Sequence, residues 1–167
     1  MRIRRVAAGV MIMLGGLLAS PLIQTVSAQE VIYLVRHAER LDDSKDSALS
    51  ADGWARAAKL AETLRDAGIT AIFATQYQRT SDTARPLAAR LGVPVVTVTA
   101  GQHGDLLKLV RAAGPTARVL IVGHSDTVPE LLTALGCAQD IVIAKGEYDN
   151  LFVVLPVGKP VVVRLRY

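Results

Sequence analysis

Three short segments of this chain carry side chains suited to binding and attacking an anion. His37 stands between Arg36 and Arg40, directly after the apolar run Val31-Ile32-Tyr33-Leu34-Val35. His124 follows a second apolar run, Leu120-Ile121-Val122-Gly123, and Arg79 lies between the two in Gln78-Arg79-Thr80. An imidazole can act as a nucleophile toward a phosphoryl group, and guanidinium forks orient its oxygens and offset their charge. Brought to one place, two histidines and up to three arginines would form a pocket for phosphoryl transfer, in which positioning and charge neutralisation do most of the work.

For those side chains to meet, the strands that deliver them must end side by side. A β-branched or apolar run followed by a polar turn recurs along the chain, with helical patterns between. After the strand beginning at Val31, Ser50 caps a predicted helix from Ala51 to Ala67 that stops at Gly68, with Trp54, Ala57, Ala58, Ala61 and Leu64 on its apolar face. A strand over Ile69 to Ala74 and a helix from about Thr80 to Leu91 follow, with Gly92 beyond the helix end. Next come a strand over Val93 to Val98, a helix over Asp105 to Ala113 and a strand over Val119 to Val122. A helix over Thr127 to Leu135 has Pro129 in its first turn, and strands over Leu151 to Leu155 and Val161 to Leu165 form a hairpin across Pro156 to Pro160. This alternation predicts an α/β three-layer sandwich, a mostly parallel mixed sheet covered by helices on both faces with an antiparallel edge. Open sheets of this kind gather ligand groups at the carboxyl ends of their strands, where His37 and His124 fall.

The first residues read as a targeting segment. Arg2, Arg4 and Arg5 precede an apolar run from Val6 to Leu18, and Val26-Ser27-Ala28 is a small-residue cleavage pattern. The run is shorter than the roughly 20 residues of a membrane-spanning helix, and Ser20, Pro21 and Gln24 keep it from extending further. Residues 1–28 are therefore expected to be a secretory signal peptide, and residues 29–167 a single domain, periplasmic or secreted and not stably inserted in a membrane. The segment holds three of the chain's 19 basic residues and none of its 15 acidic ones, which leaves 16 against 15, a net charge of +1. A nearly neutral domain without a basic run has no electrostatic footprint for nucleic acid, so no nucleic-acid partner is expected. Cys137 has no second cysteine with which to pair or to build a metal cluster, and it reads as a small buried apolar residue. Nothing in the sequence sets the oligomeric state.

Taken together, the three segments resemble those of the histidine phosphatase superfamily, the phosphoglycerate-mutase-like group. Arg36-His37-Ala38-Glu39 matches the hallmark Arg-His pair, with Ala38 where glycine is commoner. Gln78-Arg79-Thr80 with Thr83-Ala84 matches the second-arginine segment, and Gly123-His124-Ser125 the second-histidine segment. The resemblance spans roughly Val31 to Leu135 and implies a metal-independent, cofactor-free phosphatase that hydrolyses a small phosphorylated substrate through a phosphohistidine on His37. Arg36, Arg79 and His124 would hold the phosphoryl oxygens, and the surrounding cations would help to keep His37 neutral. Arg40 is either a further phosphate contact, as its spacing in the phytase-like branch implies, or a solvated loop arginine.

A carboxylic acid must also protonate the leaving group. Asp105 is slightly favoured because it lies where the mutase-like branch places its acid. Asp126, close behind His124, resembles the pairing of the phytase-like branch, and Glu39 adjoins the nucleophile as a third candidate. Asp105 and Asp126 are equally readable as helix caps. His103 reads as surface or rim, and Asp42, Asp43 and Asp46 as a solvated acidic loop rather than a metal site. Glu147-Tyr148-Asp149-Asn150 either lines the pocket or forms a turn. Other readings are a phosphate-recognition module without turnover and a protein phosphohistidine phosphatase; a mutase fits an exported, compact chain poorly.

Overall fold

In a computed structural model, residues 30–137, 140–156 and 158–167 are described; the expected signal peptide, residues 1–28, lies outside them. Six strands form one sheet in the order β3-β2-β4-β1-β5-β6, where β1 is Val31–Arg36, β2 Ala71–Thr75, β3 Val95–Val98, β4 Arg118–Gly123, β5 Asn150–Leu155 and β6 Val161–Arg166. The first four strands run parallel, whereas β5 pairs antiparallel with β1, and β6 antiparallel with β5. The predicted mixed three-layer sandwich is the observed fold.

Each sheet face is apolar because these strands carry almost no polar side chains inward. Helices α1 (Ala51–Thr63) and α2 (Gln78–Leu91) cover one face, burying Leu60, Ala61 and Leu87 against Val35, Ile72, Leu120 and Val122. On the other face α3 (His103–Ala112) and α4 (Thr127–Ala134) bury Leu106, Val110, Leu131 and Leu132 against Leu34, Phe73, Ile121 and Phe152. The central strand β4 is buried on both sides, and truncating Leu120 to alanine there should cost about 2–5 kcal/mol.

Helix ends follow local chemistry. Ser50 Oγ accepts from the Gly53 amide at 3.1 Å to start α1, and Gly92, at φ 66°, closes α2 in the left-handed region that only glycine enters freely. Tyr77 precedes α2 without a side-chain cap, but Asp46 Oδ1 reaches across to accept from the Gln78 amide at 2.7 Å. The acidic loop thus caps a helix at one position rather than being wholly solvated. The buried face of α1 is rotated from that expected: Gly53, Ala57, Leu60, Ala61 and Leu64 are buried, whereas Trp54 is 37% exposed and Ala58 is also exposed. The cause is Gly53, which presses against the loop after β1; an added Cβ would lie 2.3 Å from the Glu39 carbonyl oxygen.

This topology creates the crevice. Strands β1 and β4 are parallel neighbours with Arg36 opposite Gly123, but the helix after β1 lies on one sheet face and the helix after β4 on the other. Where successive connections diverge like this, the carboxyl ends of adjacent strands open into a ligand-binding gap. His37 and His124 are the first residues beyond those two strand ends.

Candidate active site

The main chain delivers the histidines as a pair. The His37 amide donates to the Gly123 carbonyl at 2.9 Å, extending the β1–β4 ladder one step beyond the strands. The two imidazoles then stand 5.3 Å apart between centroids, with 67° between their planes. Gly123 permits this turn, since a Cβ there would lie 2.8 Å from Thr127 Oγ1, the atom that accepts from the His124 amide at 2.8 Å.

His37 Nδ1 lies 2.7 Å from the carbonyl oxygen of Ala38. A carbonyl can only accept, so Nδ1 carries the proton and the lone pair sits on Nε2, the nucleophilic tautomer. His37 is 4% exposed, and its burial, with the nearby His124, Arg79 and Arg36, pushes its pKa down to about 3 despite the bond to Ala38. Burial, followed by Arg79 and Arg36, likewise lowers His124 to about 4, against the opposing effect of Asp126. The cations expected to keep His37 neutral do contribute, but desolvation is the larger cause.

Ala38, which stands where the resembling hallmark segments more often have glycine, is fully buried against Leu49 and Ala57 in a small cluster beneath the loop. No described non-glycine residue has positive φ, so the backbone at Ala38 does not demand glycine. Its amide donates to Thr83 Oγ1 at 2.9 Å, and the same hydroxyl donates to the Arg79 carbonyl at 2.7 Å.

Two arginines are held by main-chain oxygens. Arg36 Nη1 donates to the carbonyls of Ala144, Lys145 and Glu147 at 3.1, 2.8 and 3.2 Å, and Arg79 Nη1 donates to that of Lys45 at 2.9 Å. Arg79 sits in the first turn of α2, which begins two residues before the expected Thr80. Both guanidiniums are almost wholly buried, at 5% and 8% exposure for the residues. Arg36 Nε, Arg79 Nε and His124 Nε2 are buried without a hydrogen-bond partner among the described residues.

A cavity of about 360 Å³ is lined by Arg36, His37, Arg40, Tyr77, Arg79, Ala100 and the segment from His124 to Thr127. Six of the sequence-derived site residues therefore converge: Arg36, His37, Arg40, Arg79, His124 and Asp126. Arg40 lines the cavity while paired through Nη2 with Asp43 at 2.6 Å. Asp126 is the single carboxylate in the lining; it also caps α4, with Oδ1 accepting from the Thr127 amide at 2.7 Å.

Asp105 does not join them. It points along α3 to Lys108, 2.8 Å away, both side chains largely exposed and neither in the cavity wall. The helix starts earlier than expected, at His103, so Asp105 lies within the first turn rather than at the loop facing the crevice. Glu39 is also outside the lining and is clasped by Arg56, with Nε 2.8 Å from Oε1 and Nη2 2.6 Å from it. Burial, the largest single influence, would raise its pKa, but the Arg56 bonds together with a backbone hydrogen bond and the charges of Arg56 and Arg36 hold the carboxyl below its ordinary range, an anion rather than a proton store. His103 lies beside Glu130, at 3.4 Å, and Cys137 is buried as expected. Among the described residues no group of three metal-ligating side chains assembles, and no helix is long and apolar enough to cross a membrane.

Two further residues contribute that the sequence patterns did not assign to the site. Tyr77, in the cavity wall beside Arg79, had a readable signal as an aromatic residue close before the clamp arginine. Tyr148 touches Arg36, although its segment was equally readable as a turn. The three carbonyls around Arg36 have no side-chain signature.

Known proteins share this fold and part of this sequence. The model of the histidine phosphatase superfamily (branch 1) matches residues 32–100. A probable phosphoglycerate mutase, GpmB, of Enterobacter sp. (strain 638) is 39% identical over 72 residues, which cover 39% of this chain and 34% of that protein. The match thus spans about a third of the curated relative's length. The structure of the protein histidine phosphatase SixA complexed with tungstate is similar with a TM-score of 0.64 at 16% identity, covering 81% of this chain and 96% of that one. The mycobacterial glucosyl-3-phosphoglycerate phosphatase in complex with VO3 gives a TM-score of 0.63 at 16% identity, over 82% and 98% of the two chains. With the hallmark segment matched, the fold shared and the two histidines and two arginines at one crevice, the chain is similar to the histidine phosphatase superfamily in sequence over residues 32–100 and in fold over most of its length.

Proposed function

We propose that this protein is a phosphatase that hydrolyses a small phosphomonoester through a phosphohistidine on His37. The observation that carries this reading is one cavity lined by Arg36, Arg79 and His124 together with a neutral His37, each of the first three also holding a buried nitrogen without a partner among the described residues. Buried polar nitrogens without partners are costly, and a phosphoryl group offers three acceptor oxygens to several of them at once.

In the first step Nε2 of His37 forms a bond to phosphorus as the ester P–O bond breaks. Arg36, Arg79 and His124 stabilise the charge on the equatorial oxygens, and Asp126 protonates the departing oxygen, a role supported by its position in the cavity wall. In the second step water displaces His37 from phosphorus, Asp126 takes the proton from the attacking water, and phosphate leaves. The arginines supply the positive charge this chemistry needs, so the reaction is expected to run without a metal. The superfamily includes mutases, and hydrolysis is favoured here by the likeness in fold to the mycobacterial glucosyl-3-phosphoglycerate phosphatase.

A second substrate class, phosphohistidine on a protein, is favoured by the likeness to the protein histidine phosphatase SixA. Export is part of the proposal through the expected signal over residues 1–28, and N-terminal sequencing of the secreted or periplasmic protein checks it. The activity itself is tested by hydrolysis of an aryl phosphate with chelator present. Chelator-resistant turnover that is lost in His37→Ala supports the reading. Binding of phosphate with no turnover would instead identify a recognition module.

A further inference from the structure

The two clamp arginines are set in the same manner. Arg36 Cζ lies over the ring of Tyr148, 4.1 Å from its centroid, and that ring stands 6.0 Å from the His37 imidazole. Arg79 Cζ lies over Tyr77 at 4.4 Å, and Tyr77 meets His124 edge-on at 5.3 Å with 86° between planes. Each guanidinium therefore rests on a tyrosine that also abuts one of the two histidines. The tyrosines come from separate parts of the chain, Tyr77 from the turn into α2 and Tyr148 from the loop before β5.

A single carbonyl bond does not orient a guanidinium, and the one bond of Arg79 Nη1 leaves its plane free to turn. The three carbonyls at Arg36 all meet Nη1, which limits the plane without a contact on the guanidinium face. A ring face beneath Cζ supplies the missing constraint, because the ring quadrupole attracts the cation over the face and the flat guanidinium stacks on it. With point and plane both set, the direction of each Nε–H is determined. Those Nε atoms are buried without partners among the described residues, and the setting of each fork decides which of its N–H groups meet a tetrahedral anion.

Building on the phosphoryl-pocket reading above, we propose that Tyr77 and Tyr148 are positioning residues. Their ring faces set the planes of Arg79 and Arg36 so that both forks converge on one phosphoryl group. The role belongs to the face and not to the hydroxyl, and it makes the pocket preorganised before substrate arrives.

The test is calorimetric titration with orthovanadate of the wild-type protein and of Tyr77→Phe, Tyr77→Leu, Tyr148→Phe and Tyr148→Leu. Thermal melting and aryl phosphate kinetics accompany it. Each leucine variant should bind vanadate about tenfold more weakly, the loss expected when a desolvated cation–π contact is removed, and each phenylalanine variant should recover the lost affinity. Leucine variants within twofold of wild type would overturn the proposal, as would phenylalanine variants that fall as far as leucine. A wild-type protein that neither binds vanadate nor turns over substrate would instead defeat the phosphoryl-pocket reading and this proposal with it. Should Tyr148→Leu fail to fold, the wild-type Nε–H resonances of Arg36 and Arg79 answer the same question. Ring-current shifts that persist in the phenylalanine variants support stacking, and unshifted resonances contradict it.

Discussion

The hydroxyl of Thr83 ties the loop after β1 to α2, accepting from the Ala38 amide at 2.9 Å while donating to the Arg79 carbonyl at 2.7 Å. Thr83→Val keeps the side-chain shape and deletes the hydroxyl, leaving a buried amide unpaired at a cost of about 1–3 kcal/mol. We expect kcat on an aryl phosphate to fall about tenfold, with Thr83→Ser restoring most of it. Equal kcat in Thr83→Val and wild type would show that the link does not position His37.

The two acid candidates separate by substitution. Asp126→Asn keeps a helix-capping side chain, so the fold should persist while kcat drops about a hundredfold or more, the range for losing a general acid. Asp105→Asn removes only an exposed pair with Lys108 and should leave kcat within twofold. Steady-state rates for both variants, with an alkyl phosphate whose leaving group needs protonation, decide the matter. The reverse ranking would place the acid on α3.

Two neutral, buried imidazoles make stability depend on pH. His37 and His124 have folded pKa values of about 3 and about 4, whereas the unfolded chain binds both protons near pH 6.5. Between those limits the unfolded state takes up protons that the folded state refuses, so stability is full above about pH 6.5 and is lost as pH falls. Each group contributes a slope of up to about 1.4 kcal/mol per pH unit. Thermal melting from pH 7.5 to 4.5 should show a falling Tm, with a shallower fall in His37→Gln. A Tm that is flat over this range would mean that the imidazoles are not held neutral.

Gly53 gives a prediction against helix propensity. Alanine should favour the helical conformation of α1 by about 1 kcal/mol, but its Cβ would meet the Glu39 carbonyl oxygen at 2.3 Å. Backbone on both sides of the contact makes relief expensive, on the order of 1–3 kcal/mol or more, so Gly53→Ala should lower Tm and reduce kcat by shifting the nucleophile loop. A raised Tm with unchanged kcat would contradict the packing described.

The sequence was most readable where function is local to a strand end. Arg36, His37, Arg79 and His124 stand next to apolar runs whose ends must share one sheet edge, and the fold brings them together there. The elements themselves followed from the alternation of apolar runs and helical periods. What escaped was set by three-dimensional phase: Trp54 is exposed because Gly53 turns the buried face of α1 toward the Glu39 loop. Asp105 and Asp126 have similar sequence surroundings near helix starts, and only the beginning of α3 at His103 turns the former away. The Arg36 cage is built from backbone oxygens of residues 144–147, which no side-chain pattern announces.

The central claim is that Nε2 of His37 carries the phosphoryl group. It is tested most directly by rapid alkaline quench of the protein during turnover of an aryl phosphate, with mass spectrometry and phosphorus NMR then used to locate the phosphoryl group. The geometry predicts one acid-labile phosphate on His37, bonded at Nε2, because Nδ1 is committed to the Ala38 carbonyl at 2.7 Å. Turnover with no phosphate on His37, or with the phosphate on Nδ1 or on His124, would contradict it.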